Sequence, residues 1–273
     1  MDAPAFTPDG NTVIFDVYTP KSSTIMVSHR INGEWTRPEL VPFSGQWIDQ
    51  DPAMAPDGSF LVFVSNRPPF PGGKPVEAVV NGKVSPWGGH LWRVKRKGDG
   101  WGVPTQLPNA INSGDRTFAP SIANDGSLYF TRPDHATNAF HIVRAQYHNG
   151  NYMTPVRLLL GAPTASTSDP AIAPDESFMA FLYNANGRQH ARMAIAFRIC
   201  GRGWTNPVDL GDKVNGNYHV WDTHLGPDHS TLYFTSDRPV PGLQKGGVAK
   251  IWYLPLTQRL DATRRQASCN DHE

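Results

Sequence analysis

The feature that most restricts what this chain can fold into is a repeat. Five stretches share one pattern: "APAFTPDGNTVIFDVYTP" (3–20), "DPAMAPDGSFLVFVSNRP" (51–68), "FAPSIANDGSLYFTRPD" (118–134), "DPAIAPDESFMAFLYNAN" (169–186) and "DTHLGPDHSTLYFTSDRP" (222–239). Anchored on Pro4, Pro52, Pro120, Pro170 and Thr223, the copies stand 48, 68, 50 and 53 residues apart. A period of roughly 40–50 residues belongs to propeller blades. The long second interval holds an inserted segment, "NRPPFPGGKPVEAVVNGKVSPWGGH" (66–90).

Each copy reads as two strands around a tight turn. Proline presets φ at the first turn position, aspartate bonds the nearby backbone, and glycine accepts positive φ. Glu176 and His229 stand where the other copies have that glycine. A left-handed conformation there costs about 1 kcal/mol for each, so these two turns are expected to differ in shape. The second strand is apolar on both faces, as in Phe60, Leu61, Val62, Phe63 and Val64. That pattern suits a strand sandwiched between two sheets.

A second signature follows in four copies: "TIMVSHRINGEWTRPEL" (24–40), "HLWRVKRKGDGWGVPTQL" (90–107), "FHIVRAQYHNGNYMTPVRL" (140–158) and "ARMAIAFRICGRGWTNPVDL" (191–210). It supplies a third strand, a hairpin and an outer strand opened by Trp35, Trp101, Tyr152 or Trp204. Proline follows each aromatic at the third position, and proline is tolerated in sheets mainly at edges. The fifth copy has a third strand, "KIWYLPL" (250–256), with no Trp-x-x-Pro strand after it. The expected fold is all-β: a single β-propeller over residues 1–260, with five blades of four antiparallel strands and the fifth incomplete. Its blades span approximately 1–48, 49–115, 116–166, 167–219 and 220–260, and a polar tail covers 261–273.

The Pro-Asp-Gly turn, the apolar strand, Ser-x-Arg-Pro and "IWYLPL" together resemble the WD40-like repeats called PD40. Such repeats occur in TolB-type periplasmic proteins and in propellers that accompany OmpA-like proteins. The resemblance covers nearly the whole chain and implies a periplasmic or secreted protein. It departs from TolB in having five blades rather than six and no separate helical domain, so TolB's partners do not transfer. Blades host many functions, and the motif by itself implies no activity.

Charge narrows the partners. With 25 basic and 24 acidic side chains the formal net charge is +1, which supplies no field to draw the protein onto nucleic acid. No apolar run is long enough for a transmembrane helix, and the chain opens with MDAPAF rather than a basic then apolar leader. The 25 Gly and 25 Pro favour short strands and turns over helices.

In a propeller the inner strand starts on the top face, the Pro-Asp-Gly turn lies at the bottom, and the loop after the second strand returns to the top. Candidate ligand-binding residues are therefore Asp49, Asp51, Asp169, His219 and Asp222 at strand starts, Arg67 and Arg238 at strand ends, and Trp87 in the insertion. The alternative reading is that these charges pair between blades and serve the repeat. His219, Asp222 and His224 suggest no complete metal site, because only Asp222 and His224 share a strand face. No metal or cofactor is expected. Nucleophile elbows, phosphate loops and His-Glu-x-x-His are missing from the sequence. Of five Glu only Glu77 falls on the top face, so a carbohydrate-active hydrolase or lyase would have to use Asp residues.

The leading expectation is a binding module for a glycan, a peptide or an envelope protein. A hydrolase or lyase stands as the alternative, and a structural part of an envelope complex as a third reading. Converging carboxyl groups with raised pKa in a deep pocket would favour the enzyme. The loops 66–90 and 237–250 flank blade 1 and are expected to wall the main pocket together. In an exported protein Cys200 and Cys269 either form a disulfide that pins the tail or remain free thiols.

Overall fold

The computed structural model describes residues 1–80, 82–185, 190–199, 203–240 and 249–264. It is a five-bladed β-propeller. Blade 1 runs through Asp2–Phe6, Thr12–Thr19, Ser22–Ile31 and an outer strand made of Glu34–Trp35 and Glu39–Leu40. Pro38 lies between those two pieces, and its missing N–H explains the break. Blades 2 and 4 have the same plan, with outer strands Gly100–Trp101 plus Thr105–Gln106 and Gly203–Trp204 plus Val208–Asp209. In blade 3 the outer strand Val156–Arg157 follows a separate small hairpin, Tyr147–His148 with Asn151–Tyr152. Among the described residues blade 5 has three strands, Val220–Leu225, Thr231–Ser236 and Lys250–Pro255, and no outer strand, as expected.

The second strands carry the core. Leu61, Phe63, Leu128, Tyr129, Phe130 and Phe181 lose essentially all exposure, because both faces of each strand meet a neighbouring sheet. Four apolar clusters fill the seams between blades 1 and 2, 2 and 3, 3 and 4, and 4 and 5. Among the described residues, the seam between blades 5 and 1 is closed by smaller contacts, chiefly Phe6 against Tyr233 at 4.9 Å.

The bottom turns are alike in all five blades. Gly10, Gly58, Gly126, Glu176 and His229 have φ of 68, 72, 83, 58 and 52°. Each N–H closes the turn at 2.8–2.9 Å onto the carbonyl three residues back. In each turn the aspartate accepts the N–H two residues on, as Asp57 does from Ser59 at 2.9 Å. Glu176 and His229 therefore do not change the turn's shape. Glu176 is held left-handed by its own side chain, which accepts from the Tyr129 hydroxyl at 2.6 Å and Arg144 Nε at 2.7 Å.

Polar side chains from the segments that join one blade to the next, and Thr167 from the inner strand of blade 4, fasten the third strands. The amides of Ile25, Leu91, Ile142 and Met193 donate to Ser44 Oγ, Asn112 Oδ1, Thr167 Oγ1 and Asn215 Oδ1. Asn112 and Asn215 return a bond to the carbonyl of the same third-strand residue, so each asparagine satisfies both ladder groups where no full outer strand exists.

Candidate functional site: a carboxylate-lined axial cavity

Each inner strand breaks register at the same place. The pairing slips between Asp2 and Ala5, Gln50 and Ala53, Phe118 and Ser121, Ser168 and Ala171, and Trp221 and His224. The residue before the repeat proline, or before Thr223, is left-handed in every blade: Ala3, Asp51, Ala119, Asp169 and Asp222, with φ of 50, 50, 48, 53 and 51°. Such a bulge turns one extra residue out of the ladder, here toward the propeller axis. Aspartate tolerates the conformation better than alanine, and the ring holds it in both.

Two of these aspartates link the blades. Asp51 Oδ2 accepts the bulge N–H of Ala119 at 2.9 Å, and Asp169 Oδ1 accepts that of Asp222 at 3.3 Å. Where blade 3 has Ala119 instead of aspartate, the bulge N–H of Asp169 turns to Thr131 Oγ1 at 3.0 Å. The Thr223 hydroxyl also donates to the Asp169 carbonyl.

Above the bulges lies a cavity of about 820 Å³. Its charged lining comprises Asp2, Asp16, Asp51, Asp169, Asp222 and Asp237, with Arg116 as the basic side chain among them. Tyr18, Phe118, Phe140 and Trp221 supply aromatic wall. Arg116 lies over Phe118 at 4.6 Å and Phe140 at 5.8 Å. Burial raises the Asp51 carboxyl to about 6; Asp169 adds to the rise, while the Ala119 N–H and Arg116 oppose it. Burial also drives Asp222 well above the usual carboxylate range, reinforced by Asp51, Asp169, Asp16 and Asp2. Asp16 and Asp169 are raised mainly by burial as well. Asp16 is only 4% exposed; its Oδ2 accepts from Ser23 at 3.0 Å, and its Oδ1 has no hydrogen-bond partner.

Of the eight residues expected at a top-face site, the structure brings Asp51, Asp169 and Asp222 together in this cavity. The others sit elsewhere. Asp49, fully buried, accepts from Arg67 at 2.9 Å and Ser44 at 2.8 Å. Arg67 stacks on Phe63 and Trp92 and also donates to the Phe43 carbonyl. Arg238 is its counterpart in blade 5: it stacks on Phe234 and Trp252 and donates to the Lys213 and Val214 carbonyls. Both arginines thus tie a second strand to the loop that precedes their blade. His219 is exposed at the rim, 4.1 Å from the His190 ring. Trp87 stacks at 4.9 Å on Tyr18, and through that contact the insertion reaches the cavity's edge.

The cavity is not walled by both long loops. Asp237 and Ala249, at the ends of the second loop, line it, whereas the lining includes no residue of 66–90. The insertion instead leans over blade 3, where Val79 N–H donates to Asp115 at 2.8 Å beside a second cavity of about 240 Å³. Cys200 and Cys269 lie outside the described residues. Sequence reasoning missed Asp2, Asp16, Arg116, Phe118 and Phe140 as cavity residues. Asp16 had one available signal, a charge inside an otherwise apolar second strand, "TVIFDVYT". Among the described residues no three His, Cys, Asp or Glu are grouped to hold a metal ion, and no helix is long and apolar enough to cross a membrane.

Comparison with known proteins places the fold. Neither a protein-family model nor a curated protein sequence matches the chain. Solved structures do. TolB from Acinetobacter baumannii superposes with a TM-score of 0.57 at 16% identity, over 94% of this chain and 52% of that one. A TolB described from Agrobacterium tumefaciens gives 0.55 at 17%, over 93% and 76%. An α-L-arabinofuranosidase from Lactobacillus brevis gives 0.58 at 12%, over 92% and 90%. The chain thus spans about half the length of the Acinetobacter TolB. At such identities the likeness is one of fold: a TolB-like β-propeller.

Proposed function

We propose that this propeller is a binding module whose ligand enters the axial cavity of the top face. The observation that carries the reading is the convergence of bulge carboxylates from three blades on a cavity of about 820 Å³ with aromatic walls. A space of that size, with a few polar groups held by a rigid scaffold, is the usual form of a small-molecule or side-chain site. The TolB-like fold fits a binding role, and with it a place in the periplasm or outside the cell, where the occupant would be a glycan, a peptide or part of an envelope protein. The test is a melting-temperature screen of the wild type against Asp222→Asn and Trp221→Ala, using saccharides, peptides and amines. Stabilisation by one class that both variants lose supports the axial site. Stabilisation that both variants keep overturns it.

One observation favours a second reading, hydrolysis or elimination at the same carboxylates. Asp51 and Asp222 both hold their protons above the usual carboxylate range, and a carboxylic acid kept protonated toward neutral pH is a group acid–base catalysis uses. Against it, Asp51 and Asp169 are each committed to a neighbouring blade's bulge amide. The cavity lining also includes no glutamate. Release of chromophore from aryl glycosides that stops in Asp222→Asn would replace the binding reading with this one.

A further inference from the structure

The cavity's charge is unevenly compensated. Arg116 stands against the carboxylates of blades 2 and 4, where it opposes the raised proton affinity of both Asp51 and Asp169. Asp2 and Asp16 of blade 1 and Asp222 of blade 5 complete the acidic lining, with Asp16 on the strand face that Ile14 turns toward blade 2. Burial and the neighbouring aspartates Asp51, Asp169, Asp16 and Asp2 raise Asp222. Asp16 adds a buried oxygen without a partner. Tyr18, stacked on Trp87 of the blade 2 insertion, and Trp221, packed against the core between blades 4 and 5, give the cavity aromatic wall.

We propose that this acidic cavity, with Asp16 and Asp222 in its wall, binds an ammonium group carried on an apolar or sugar-like stem. The inference rests on the binding function proposed above and names the ligand's chemistry. Several features select an ammonium. Its three N–H donors meet carboxylate oxygens at about 2.8 Å, a wider shell than the roughly 2.0–2.6 Å of hard metal ions. The described acidic side chains are not grouped for the tighter shell. Its flanking carbons suit Tyr18 and Trp221, whose ring faces attract cations. A neutral hydroxyl can take up the Asp16 oxygen but does nothing to favour the ionised form of these buried carboxyls, as a cation does. Arg116, stacked on Phe118 and Phe140, is the one basic side chain among the described lining residues, against six aspartates.

Matched pairs that differ at the charged group provide the test. Glucosamine is compared with glucose, and Nα-acetyl-lysine amide with Nα-acetyl-norleucine amide, by calorimetry and thermal shift at about pH 6.5. The first pair presents the ammonium on a sugar and the second on a side chain, so the arms also separate a glycan source from a peptide source. In at least one pair the charged member is expected to bind about 10-fold or more tightly than its partner. That preference should fall by about 10-fold in Asp222→Asn and in Asp16→Asn, with folding of both checked by circular dichroism. Because the pairwise contrast is read on the wild type, a poorly folded variant does not remove the test. Equal binding of the members of each pair overturns the inference and leaves the cavity as a neutral-ligand site. Failure of both charged probes to bind at millimolar concentration also overturns it. Stabilisation by calcium or magnesium alone would overturn it too, in favour of a metal. A preference that survives in both variants places the ammonium outside the cavity and overturns the inference and the axial-site reading together.

Discussion

At the residue scale, the shared burial of the cavity carboxylates has a measurable consequence. Between pH 3.8 and about 6 the unfolded chain ionises Asp51 while the folded state still holds its proton. The native state then binds more protons, so this contribution to stability falls as pH rises through that window. The size is on the order of 3 kcal/mol. His224 acts in the opposite sense, since burial lowers it to about 4 and its contribution is lost as pH falls below its ordinary value of 6.5. The comparison is therefore wild type against Asp51→Asn, which keeps an acceptor for the Ala119 amide. Urea unfolding across this range should show a stability difference that grows in the variant's favour with pH; a constant difference would refute the assignment. The two left-handed turn residues give a second contrast. His229 is exposed with φ of 52°, so His229→Gly should stabilise by about 0.5–1 kcal/mol. Glu176→Gly relieves similar backbone strain but strips the acceptor from the buried Tyr129 hydroxyl and from Arg144. It should destabilise by about 1–2 kcal/mol, measured by the same unfolding curves.

At the scale of elements, the Ser-x-Arg-Pro segment acts as a clasp between a second strand and the loop before it. Arg67→Ala would leave Asp49 fully buried with no cation beside it, at a cost of about 3–5 kcal/mol. Arg67→Met combined with Asp49→Asn should recover a large part of that loss in chemical denaturation; no recovery would show that stacking on Phe63 and Trp92, rather than charge, holds the clasp. Most of the architecture was legible from strings of this kind. The Pro-Asp-Gly turn and its variants Asn-Asp-Gly, Pro-Asp-Glu and Pro-Asp-His mark the five bottom turns, and the Trp-x-x-Pro strand is an outer edge, as its proline predicts. The site was only partly legible. Asp51, Asp169 and Asp222 stood out as aspartates, but Ala3 and Ala119 occupy the same bulge without announcing it, because the left-handed geometry is imposed by the ladder rather than by residue type. Arg67 and Arg238 follow their strands closely enough to suggest the mouth, yet aromatic faces and loop carbonyls draw them into the seams. Arg116 and Phe118 join the cavity through packing between blades distant in sequence, which no local pattern encodes.

At the scale of the whole molecule, the ring is strongest through four seams and weakest at the fifth. Blade 5 ends on the strand Lys250–Pro255 with Tyr253 69% exposed, and its junction with blade 1 depends on contacts such as Phe6 on Tyr233. Hydrogen exchange should therefore be fastest, among strand amides, in Lys250–Pro255 and in Asp2–Phe6, and slowest in Phe60–Ser65 and Leu128–Asp134. Uniform protection of all five blades would refute this order. The axial cavity is lined by Asp2 of blade 1 and Asp222 of blade 5, so an occupant would touch both blades at this seam, and binding should raise protection there. The bulge ring carries a different consequence. Since backbone pairing dictates its shape, and alanine and aspartate adopt it equally, the five positions behave as letters in a fixed frame, spelling Ala, Asp, Ala, Asp, Asp around the axis. A relative that respells this word would change what its cavity recognises while keeping its fold.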